Sequence, residues 1–204
     1  DGIPMIQRVW QQANAAQIGE VFVACSENDV FDLIKGIGGN PIMTDPNLPS
    51  GTDRIHSALQ KIKNYSEIDY IINLQGDMPL IESHQIKKVI DPLKNNYQIG
   101  TMVTDLKKDE ISNPNITKVI VDWKKNKLGQ AKEFFRQKKF IIDQAYHHVG
   151  IYSYLKETLT SFVNLPKSKN EVSLKLEQYR AMDAGMSIGI AFEKSIPISI
   201  DTKE

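Results

Sequence analysis

The sequence predicts an α/β fold, in which a doubly wound, mixed and mostly parallel sheet is flanked by helices. Apolar, β-rich segments alternate with segments of helical periodicity along all 204 residues. No internal repeat or low-complexity tract interrupts this alternation. Successive parallel strands need long crossover connections, and the segments between the strands have the periodicity of helices. Because ligands of such sheets bind beyond the carboxyl ends of the strands, the candidate site residues are sought there.

The composition is that of an ordinary globular domain. The chain has 25 basic and 25 acidic residues, so its net charge of zero implies no general attraction to nucleic acid or to an anionic membrane. Cys25 is the one cysteine, which excludes an intrachain disulfide and a zinc site built on several thiols. No apolar run reaches the length of a membrane span, and we expect a cytoplasmic protein.

The elements of the first half follow from apolar spacing and from turn residues. A first helix carries Ile3, Ile6, Trp10 and Ala13 on one stripe. The glycines at 38–39 end a second helix, since glycine readily adopts the left-handed conformation of a helix end. The predicted order is a strand at 20–25, a helix at 28–39, a weak strand at 40–44, a loop at 45–52, a helix around 55–62 and a buried strand at 69–74.

The second half continues the same alternation. A capping box, Ser168 to Glu171, predicts the start of a helix that Gly185 ends. The apolar stripe of this helix is expected to comprise Val172, Leu176, Tyr179 and Met182. The other predicted elements are a helix at 82–94, strands at 98–105, 117–123 and 147–155, and one or two strands within 187–200.

Two aspartates follow predicted strands at the edge where ligands bind. Asp77 comes after the strand at 69–74 behind Gly76, and Asp201 comes after the last strand. Two carboxylates on neighbouring strand ends could share a Mg²⁺ ion, which prefers oxygen ligands and is often held by one or two carboxylates and substrate phosphates. The alternative is that each aspartate only forms a turn or caps a helix.

The segment PSGTDR at 49–54 is a candidate anion site. Ser50, Gly51 and Thr52 precede a helix whose N-terminal N–H groups favour anions, and Arg54 adds a planar guanidinium suited to phosphate or carboxylate. The alternative is a capped helix with a solvated arginine. No Walker loop or GxGxxG fingerprint supports an ordinary nucleoside triphosphatase or an NAD-binding fold.

Polar residues near the predicted strand at 147–155 form a third group. Adjacent strand residues point to opposite faces, so His147 and His148 cannot both reach the same ligand. His148, Gly150 and Tyr152 share one face of the strand. A lone strand histidine is more often structural or exposed than catalytic. Glu177 and Gln178 lie beside the apolar stripe of their helix, and a solvated helix face is the interpretation from spacing alone.

Six short motifs occur in one order, and together they identify a family resemblance. Their order and spacing resemble those of the 3-deoxy-manno-octulosonate (Kdo) cytidylyltransferases, also called CMP-Kdo synthetases, from about residue 2 to the end of the chain. The motifs are PSGTDR, NLQGDMP, NPNITKVIVD, HHVGIY, LEQYRAMDAG and IPISIDT.

The resemblance implies an enzyme that joins CTP and Kdo to give CMP-Kdo and pyrophosphate for lipopolysaccharide biosynthesis. Members of that family are cytosolic, Mg²⁺-dependent homodimers with a nucleotide-diphospho-sugar transferase fold. The resemblance also implies a single cytidylyltransferase domain over residues 1–204, without the family's N-terminal nucleotide-binding loop and C-terminal helix. The open alternatives are a cytidylyltransferase for another acidic sugar and a non-catalytic nucleotide-binding paralogue.

The resemblance also implies roles for individual residues. Asp77 and Asp201 match the metal-binding aspartates, and Arg54 matches a segment beside the nucleotide. Met78 stands where the family usually has glutamate, and the segment around Arg136 matches its family counterpart only in part. The positions that match the lining of the Kdo pocket are Gln75, Arg136, His148, Tyr152, Glu177 and Gln178.

Overall fold

The computed structural model describes residues 2–125, 127–137 and 144–194. Contacts divide these residues into two compact units. Residues 2–69 and 73–87 belong to the first unit, and residues 70–72 and 88–194 belong to the second. Within the described ranges, no helix is both long and apolar enough to cross a membrane.

The first unit contains a parallel strand pair and its connecting helix. Strands β1 (Phe22–Cys25) and β2 (Asn40–Met43) pair in parallel, with Phe22 opposite Asn40 and Cys25 opposite Met43. Helix α2 (Asn28–Gly36) provides the crossover between them, and Gly38 ends it with a φ of +83°. The predicted elements of this unit are therefore confirmed, although α3 (Gly51–Leu59) begins inside the predicted loop. Ile3 is wrongly predicted on the stripe of the first helix, because it precedes that helix and is 43% exposed. The elements are α1 (Met5–Ala15), β1 (Phe22–Cys25), α2 (Asn28–Gly36), β2 (Asn40–Met43) and α3 (Gly51–Leu59).

The second unit is built on a six-stranded mixed sheet. The strands are β3 (Tyr70–Asn73), β4 (Ile99–Asp105), β5 (Lys118–Trp123), β6 (Leu128–Phe135), β7 (Ala145–Leu155) and β8 (Ile188–Phe192). Their order in the sheet is β3-β7-β4-β8-β6-β5, and β5 also pairs with β7, so that five of these strands form a closed circuit.

The sheet is mixed, as predicted, but antiparallel pairings are the more numerous among the strand pairs whose direction is described. Strands β4 and β8 are parallel, whereas β4–β7, β5–β6, β5–β7 and β6–β8 are antiparallel. The difference arises because β6 returns directly against β5 as a hairpin instead of crossing over through a helix.

An irregularity in β7 shapes the second unit. Thr101 of β4 lies opposite Tyr152, but the next residue, Met102, lies opposite Val149. Gly150 and Ile151 therefore have no partner on β4. Such bulges bend a strand and change the direction of its side chains.

The helices that follow β3 in the chain are short and partly unpredicted. The predicted helix at 82–94 is two helices, α4 (Ser83–Lys88) and α5 (Asp91–Lys94), and α6 (Lys156–Val163) was not predicted. The helix predicted after Ser168 is also two, α7 (Lys169–Leu174) and α8 (Gln178–Asp183). Lys175 separates them with a left-handed φ of 55°.

Three predictions of burial or strand content are wrong. Val172 is 63% exposed and is not part of an apolar stripe, because the break at Lys175 changes which face of the segment is covered. Tyr70 is 44% exposed, since β3 is the last strand at one end of the sheet order. Strand β6 was not predicted. Of the strands predicted within 187–200, β8 is confirmed, and residues 195–200 lie outside the described residues.

Candidate active site

The turn after β3 carries Asp77 in the first unit. The strand ends at Asn73, and Asp77 follows in a turn with Gly76, as predicted. Asp77 is half-buried, and its Oδ1 atom is shielded from solvent. A carboxylate in this position offers oxygen ligands to a hard cation, and Mg²⁺ needs only one or two protein carboxylates when phosphates supply the rest. The turn therefore fits a magnesium site.

The second predicted metal ligand, Asp201, lies outside the described residues. Among the residues that are described, no group of three or more His, Cys, Asp or Glu side chains is placed to hold a metal. The approach of Asp77 to Asp201 stays a prediction. Met78, next to Asp77, is 4% exposed, so its side chain contributes to packing and offers no ligand oxygen.

A polar pair next to Asp77 joins two of the predicted motifs. The Nε2 atom of Gln75 donates to Oδ1 of Asn73 at 2.9 Å. A Cβ atom on Gly51 would lie 3.2 Å from Oε1 of Gln75, so glycine at this position leaves the room that the Gln75 side chain occupies. The Nδ2 atom of Asn73 is buried and donates to no described residue. The structure thus brings Gln75 against the first turn of α3.

Helix α3 begins with a complete side-chain cap. Oγ of Ser50 accepts a hydrogen bond from the Asp53 N–H at 3.2 Å and donates to Oδ2 of Asp53 at 2.6 Å. The capped-helix interpretation is therefore confirmed for Ser50. The Asp53 carboxylate also places negative charge in the first turn, where it opposes an anion. Thr52 is buried.

Arg54 is held at the carboxyl ends of β1 and β2. Its Nη1 atom donates to Oγ1 of Thr44 at 2.6 Å and to the Asp45 carbonyl at 3.3 Å. Thr44 in turn donates to the Cys25 carbonyl at 2.9 Å. A solvated arginine is therefore the wrong interpretation. Nε and Nη2 donate to no residue of the described ranges and remain available to an anion.

His148 of the second unit lies in an aromatic, buried setting. Its ring is 5.4 Å from the ring of Tyr152 and makes an edge contact with Phe134 at 5.2 Å. Nε2 lies 3.0 Å from Oγ1 of Thr101. Burial, with a smaller contribution from His147, lowers the pKa of His148 to about 3. The imidazole is therefore neutral near pH 7 and cannot act as a cationic partner for a carboxylate.

Tyr152 and Gln178 form a hydrogen-bonded pair. Nε2 of Gln178 donates to the Tyr152 hydroxyl at 2.5 Å. Oε1 of Gln178 is buried and accepts from no described residue. Burial raises the pKa of Tyr152 well above its usual value, with smaller effects from Tyr154 and Glu177, so the phenol keeps its proton. A solvated helix face is thus wrong for Gln178.

Glu177 lies beside a buried ion pair. Arg180 Nη2 is 3.6 Å from Oε1 of Glu177 and 2.6 Å from Oε1 of Glu171. Arg180 also lies over the ring of Phe162, 4.9 Å from its centroid. Hydrogen bonding from the Arg180 guanidinium lowers the pKa of the Glu171 carboxyl. Glu177 therefore has a fixed cationic neighbour.

Arg136 lies at the end of β6 with an exposed side chain. Its carbonyl accepts from Nζ of Lys118 at 2.7 Å, and the same ammonium donates to the Asn113 carbonyl at 2.5 Å. Burial lowers the pKa of Lys118. In the described part of the chain, no hydrogen bond or ion pair joins the Arg136 side chain to His148, Tyr152 or Gln178.

Three residues of these clusters were not found from the sequence. Thr101 and Asn73 are buried polar residues inside strands, and only their cross-strand or loop contacts distinguish them from ordinary sheet residues. Arg180 lies nine residues after Glu171, a spacing that no regular helix brings together. In the sequence, the signal available for this pair was an arginine that follows the capping box containing Glu171.

Comparisons with known proteins give matches over nearly the whole chain. A family model described as cytidylyltransferase matches residues 1–188. Proteins named 3-deoxy-manno-octulosonate cytidylyltransferase from Paramagnetospirillum magneticum and Rickettsia typhi are 38% and 39% identical, covering 98% and 99% of this chain and 83% of each relative.

Solved structures show the same fold. A structure of CMP:2-keto-3-deoxy-manno-octonic acid synthetase complexed with CTP matches with a TM-score of 0.87 and 31% identity, covering 98% of this chain and 83% of that chain. The 4-diphosphocytidyl-2C-methyl-D-erythritol synthase of Anaerococcus prevotii matches with a TM-score of 0.63 and 13% identity, covering 99% of this chain and 85% of that chain. The second likeness concerns the fold alone.

Proposed function

The chain belongs to the cytidylyltransferase family, and from this premise we propose how its residues join CTP to 3-deoxy-manno-octulosonate (Kdo). It is a nucleotidyltransferase with the nucleotide-diphospho-sugar transferase fold, and it transfers the cytidylyl group of CTP to Kdo. In the proposed reaction the C2 hydroxyl of Kdo attacks the α-phosphorus of CTP in line, and pyrophosphate leaves.

The Tyr152–Gln178 pair carries the sugar side of this proposal. Oε1 of Gln178 is a buried acceptor without a partner in the described residues, and the Tyr152 hydroxyl accepts from Gln178 while donating to none of them. A buried polar group without a partner is costly, and the hydroxyls of a sugar would satisfy both atoms. Such sites reject analogues that cannot make the same hydrogen bonds.

The charged groups divide between the two substrates. Arg136 is the proposed partner of the Kdo carboxylate, because its guanidinium is exposed and can form two parallel hydrogen bonds. Arg54 is the proposed partner of the CTP phosphates, because Thr44 holds one of its nitrogens. The start of its helix at Ser50, Gly51 and Thr52 lies against Gln75 through Gly51. Glu177 and the neutral His148 would bind sugar hydroxyls.

Asp77 and Asp201 are the proposed holders of Mg²⁺. The shielded Oδ1 atom of Asp77 and the turn at Gly76 suit a hard cation that also binds phosphate oxygens. When bound, Mg²⁺ would supply Lewis acidity and offset the negative charge of the phosphates.

We also propose the biological setting that the family implies. The protein would act in the cytoplasm as a homodimer and would supply CMP-Kdo to lipopolysaccharide biosynthesis. An eluted mass equal to one chain, measured by light scattering at micromolar concentration, would contradict the homodimer.

A substrate panel tests the proposed function. The full-length protein is assayed for pyrophosphate release with CTP and Mg²⁺, using Kdo, a sialic acid or an eight-carbon amino analogue as the acceptor. We expect release with Kdo and a much lower rate with the others. A preference for another acid would contradict the Kdo assignment, and nucleotide binding without release would indicate the non-catalytic paralogue.

A variant pair tests the sugar side separately. Gln178→Met removes the amide oxygen and the amide nitrogen and keeps a similar side-chain length. We expect about a tenfold rise in the KM for Kdo with little change in the KM for CTP. The exposed Gln11 of α1 provides the control, because Gln11→Met alters neither cluster. An unchanged KM for Kdo in Gln178→Met would exclude Gln178 from the sugar pocket.

A further inference from the structure

Thr101 lies at the point where β7 departs from regular pairing. In a regular strand, residues four apart are separated by about 13 Å. The rings of His148 and Tyr152 are only 5.4 Å apart, and the unpaired residues Gly150 and Ile151 lie between them. The irregularity therefore brings the two rings together, and Thr101 is the β4 residue opposite it.

The Thr101 hydroxyl makes three polar contacts with this irregularity. Oγ1 lies 2.7 Å from the Ile151 carbonyl oxygen, 3.2 Å from the Val149 carbonyl oxygen and 3.0 Å from Nε2 of His148. Thr101 has no exposed surface. Water therefore does not compete for these contacts, and the one hydroxyl proton can serve as donor in only part of them.

The count of protons decides the state of the imidazole. A hydroxyl has one proton and two lone pairs, and a carbonyl oxygen can only accept. If Thr101 donated to Nε2, its lone pairs would face the Ile151 oxygen at 2.7 Å without a proton between them. Thr101 therefore donates to a carbonyl, and Nε2 of His148 must donate to Thr101.

We propose that Thr101 is a positioning residue, which holds neutral His148 as the Nε2–H tautomer and leaves Nδ1 as an acceptor for a hydroxyl of the sugar acid. In a neutral imidazole only one nitrogen carries a proton, so a proton on Nε2 leaves a lone pair on Nδ1. No described residue hydrogen-bonds to Nδ1. This assignment of a ligand rests on the proposed role of His148 in sugar binding.

The tautomer of His148 determines which chemical group the ring recognises. Set as an acceptor, His148 selects a hydroxyl donor and disfavours an acceptor such as a carboxylate. The carboxylate of the sugar acid must then be bound elsewhere, in agreement with the cationic role given to Arg136. His148 acts on orientation and specificity, and it transfers no proton in this scheme.

Nuclear magnetic resonance tests the tautomer without any substrate. In protein labelled with ¹⁵N-histidine, a long-range ¹H–¹⁵N correlation spectrum distinguishes a ring nitrogen that bears a proton from one with a free lone pair. The His148 signals are assigned by their loss in His148→Gln. We expect a lone pair on Nδ1 and a proton on Nε2. A proton on Nδ1 would overturn the proposal.

Matched variants test the contribution of the hydroxyl. Thr101→Val keeps the shape and removes the hydroxyl, so we expect a mixed or reversed tautomer and a threefold to tenfold rise, roughly, in the KM for Kdo. Thr101→Ser keeps the hydroxyl and should show the wild-type tautomer and the wild-type KM for Kdo. Thr104→Val is the control, because Thr104 is a buried threonine of the same strand whose hydroxyl donates to the Lys194 carbonyl instead.

The two readouts separate the inference from the proposed function. A changed tautomer in Thr101→Val with an unchanged KM for Kdo would overturn the role of His148 as a sugar ligand, while the positioning by Thr101 would stand. An unchanged tautomer in a folded Thr101→Val protein would overturn the positioning itself. An equal effect of Thr104→Val would also overturn it, because general loss of packing would then explain the result.

Discussion

The guanidinium of Arg180 donates two hydrogen bonds to the carboxylate of Glu171, at 3.0 Å from Nε and at 2.6 Å from Nη2. Both side chains are buried. Glu171 also accepts from the Ser168 N–H in the capping box that begins α7. One carboxylate thus joins the start of α7 to α8, whose first residue is Gln178.

Removal of Arg180 should destabilise the protein strongly. In Arg180→Met the Glu171 carboxylate stays buried without its cation, and we expect a loss of about 3–5 kcal/mol in the free energy of unfolding. Urea denaturation measures it. The control is Lys124→Met, which breaks an exposed pair with Asp122 and should cost little, because solvent screens such pairs. Equal losses in the two variants would contradict the buried-pair interpretation.

Removal of the buried ammonium of Lys118 should loosen the end of β6. Lys118→Met leaves the Asn113 and Arg136 carbonyls without their shared donor, and we expect a loss of about 1–3 kcal/mol. If Arg136 binds the sugar carboxylate, the KM for Kdo should rise as well. The exposed Lys125 supplies the control variant Lys125→Met. Wild-type stability in Lys118→Met would show that these hydrogen bonds contribute nothing.

Two glycines of the sheet should differ in their tolerance of alanine. A Cβ atom on Gly189 would lie 2.5 Å from the ring of Tyr97, whereas a Cβ atom on Gly150 would meet nothing within 4 Å. We expect Gly189→Ala to cost about 1–3 kcal/mol through overpacking, and Gly150→Ala to fold normally. Thermal unfolding of both variants provides the comparison. A Gly189→Ala protein as stable as wild type would show that the β8 contact can relax.

His148 should make stability depend on pH in the acidic range. Its folded pKa of about 3 is below the ordinary value of 6.5, because burial disfavours the charged ring. The unfolded state therefore binds the proton first as pH falls. The contribution of the neutral ring is complete above pH 6.5 and is lost between pH 6.5 and 3, by up to about 1.4 kcal/mol per pH unit.

The measurement is the urea midpoint of wild type and of His148→Gln at pH 7.5, 6 and 5. The glutamine variant keeps an amide that can donate to Thr101 but has no group that titrates in this range. We expect the wild type to lose more stability on acidification than the variant. Parallel losses would mean that His148 is charged or exposed in the folded protein.

Asp77→Asn should reduce pyrophosphate release by about 10²–10³-fold at saturating Mg²⁺. The amide has nearly the shape of the carboxylate but lacks its charge, so folding should change little. Asp69→Asn is the control, because Asp69 is an exposed aspartate just before the same strand. Normal Mg²⁺-dependent release by Asp77→Asn would exclude the metal role of Asp77.

Local patterns predicted the elements that local chemistry creates. The capping box of Ser168 and Glu171 is confirmed because its two hydrogen bonds join residues three positions apart. The turn that places Asp77 after β3 is confirmed for the same reason. Strand β6 was missed because Lys127, and not a glycine, adopts the left-handed φ of 59° just before it.

The sites were predicted less completely than the elements. The sequence indicated His148, Tyr152 and Gln178 as candidates, but alternation along a strand cannot show that a two-residue irregularity brings two rings together. It left a solvated Arg54 open as an alternative, since the partner Thr44 lies ten residues earlier in the chain. It identified Asp201, whose relation to Asp77 remains a prediction.

The sequence by itself determined the order of most helices and strands, the family and the acid that follows β3, because each depends on spacing within a few residues or on motifs in a fixed order. Only the tertiary structure decided which buried polar groups meet. Thr101 and His148 are 47 residues apart, and Glu171 meets Arg180 across a helix break. Such pairs depend on strand register and helix packing, in which a shift of one residue turns a side chain to the other face.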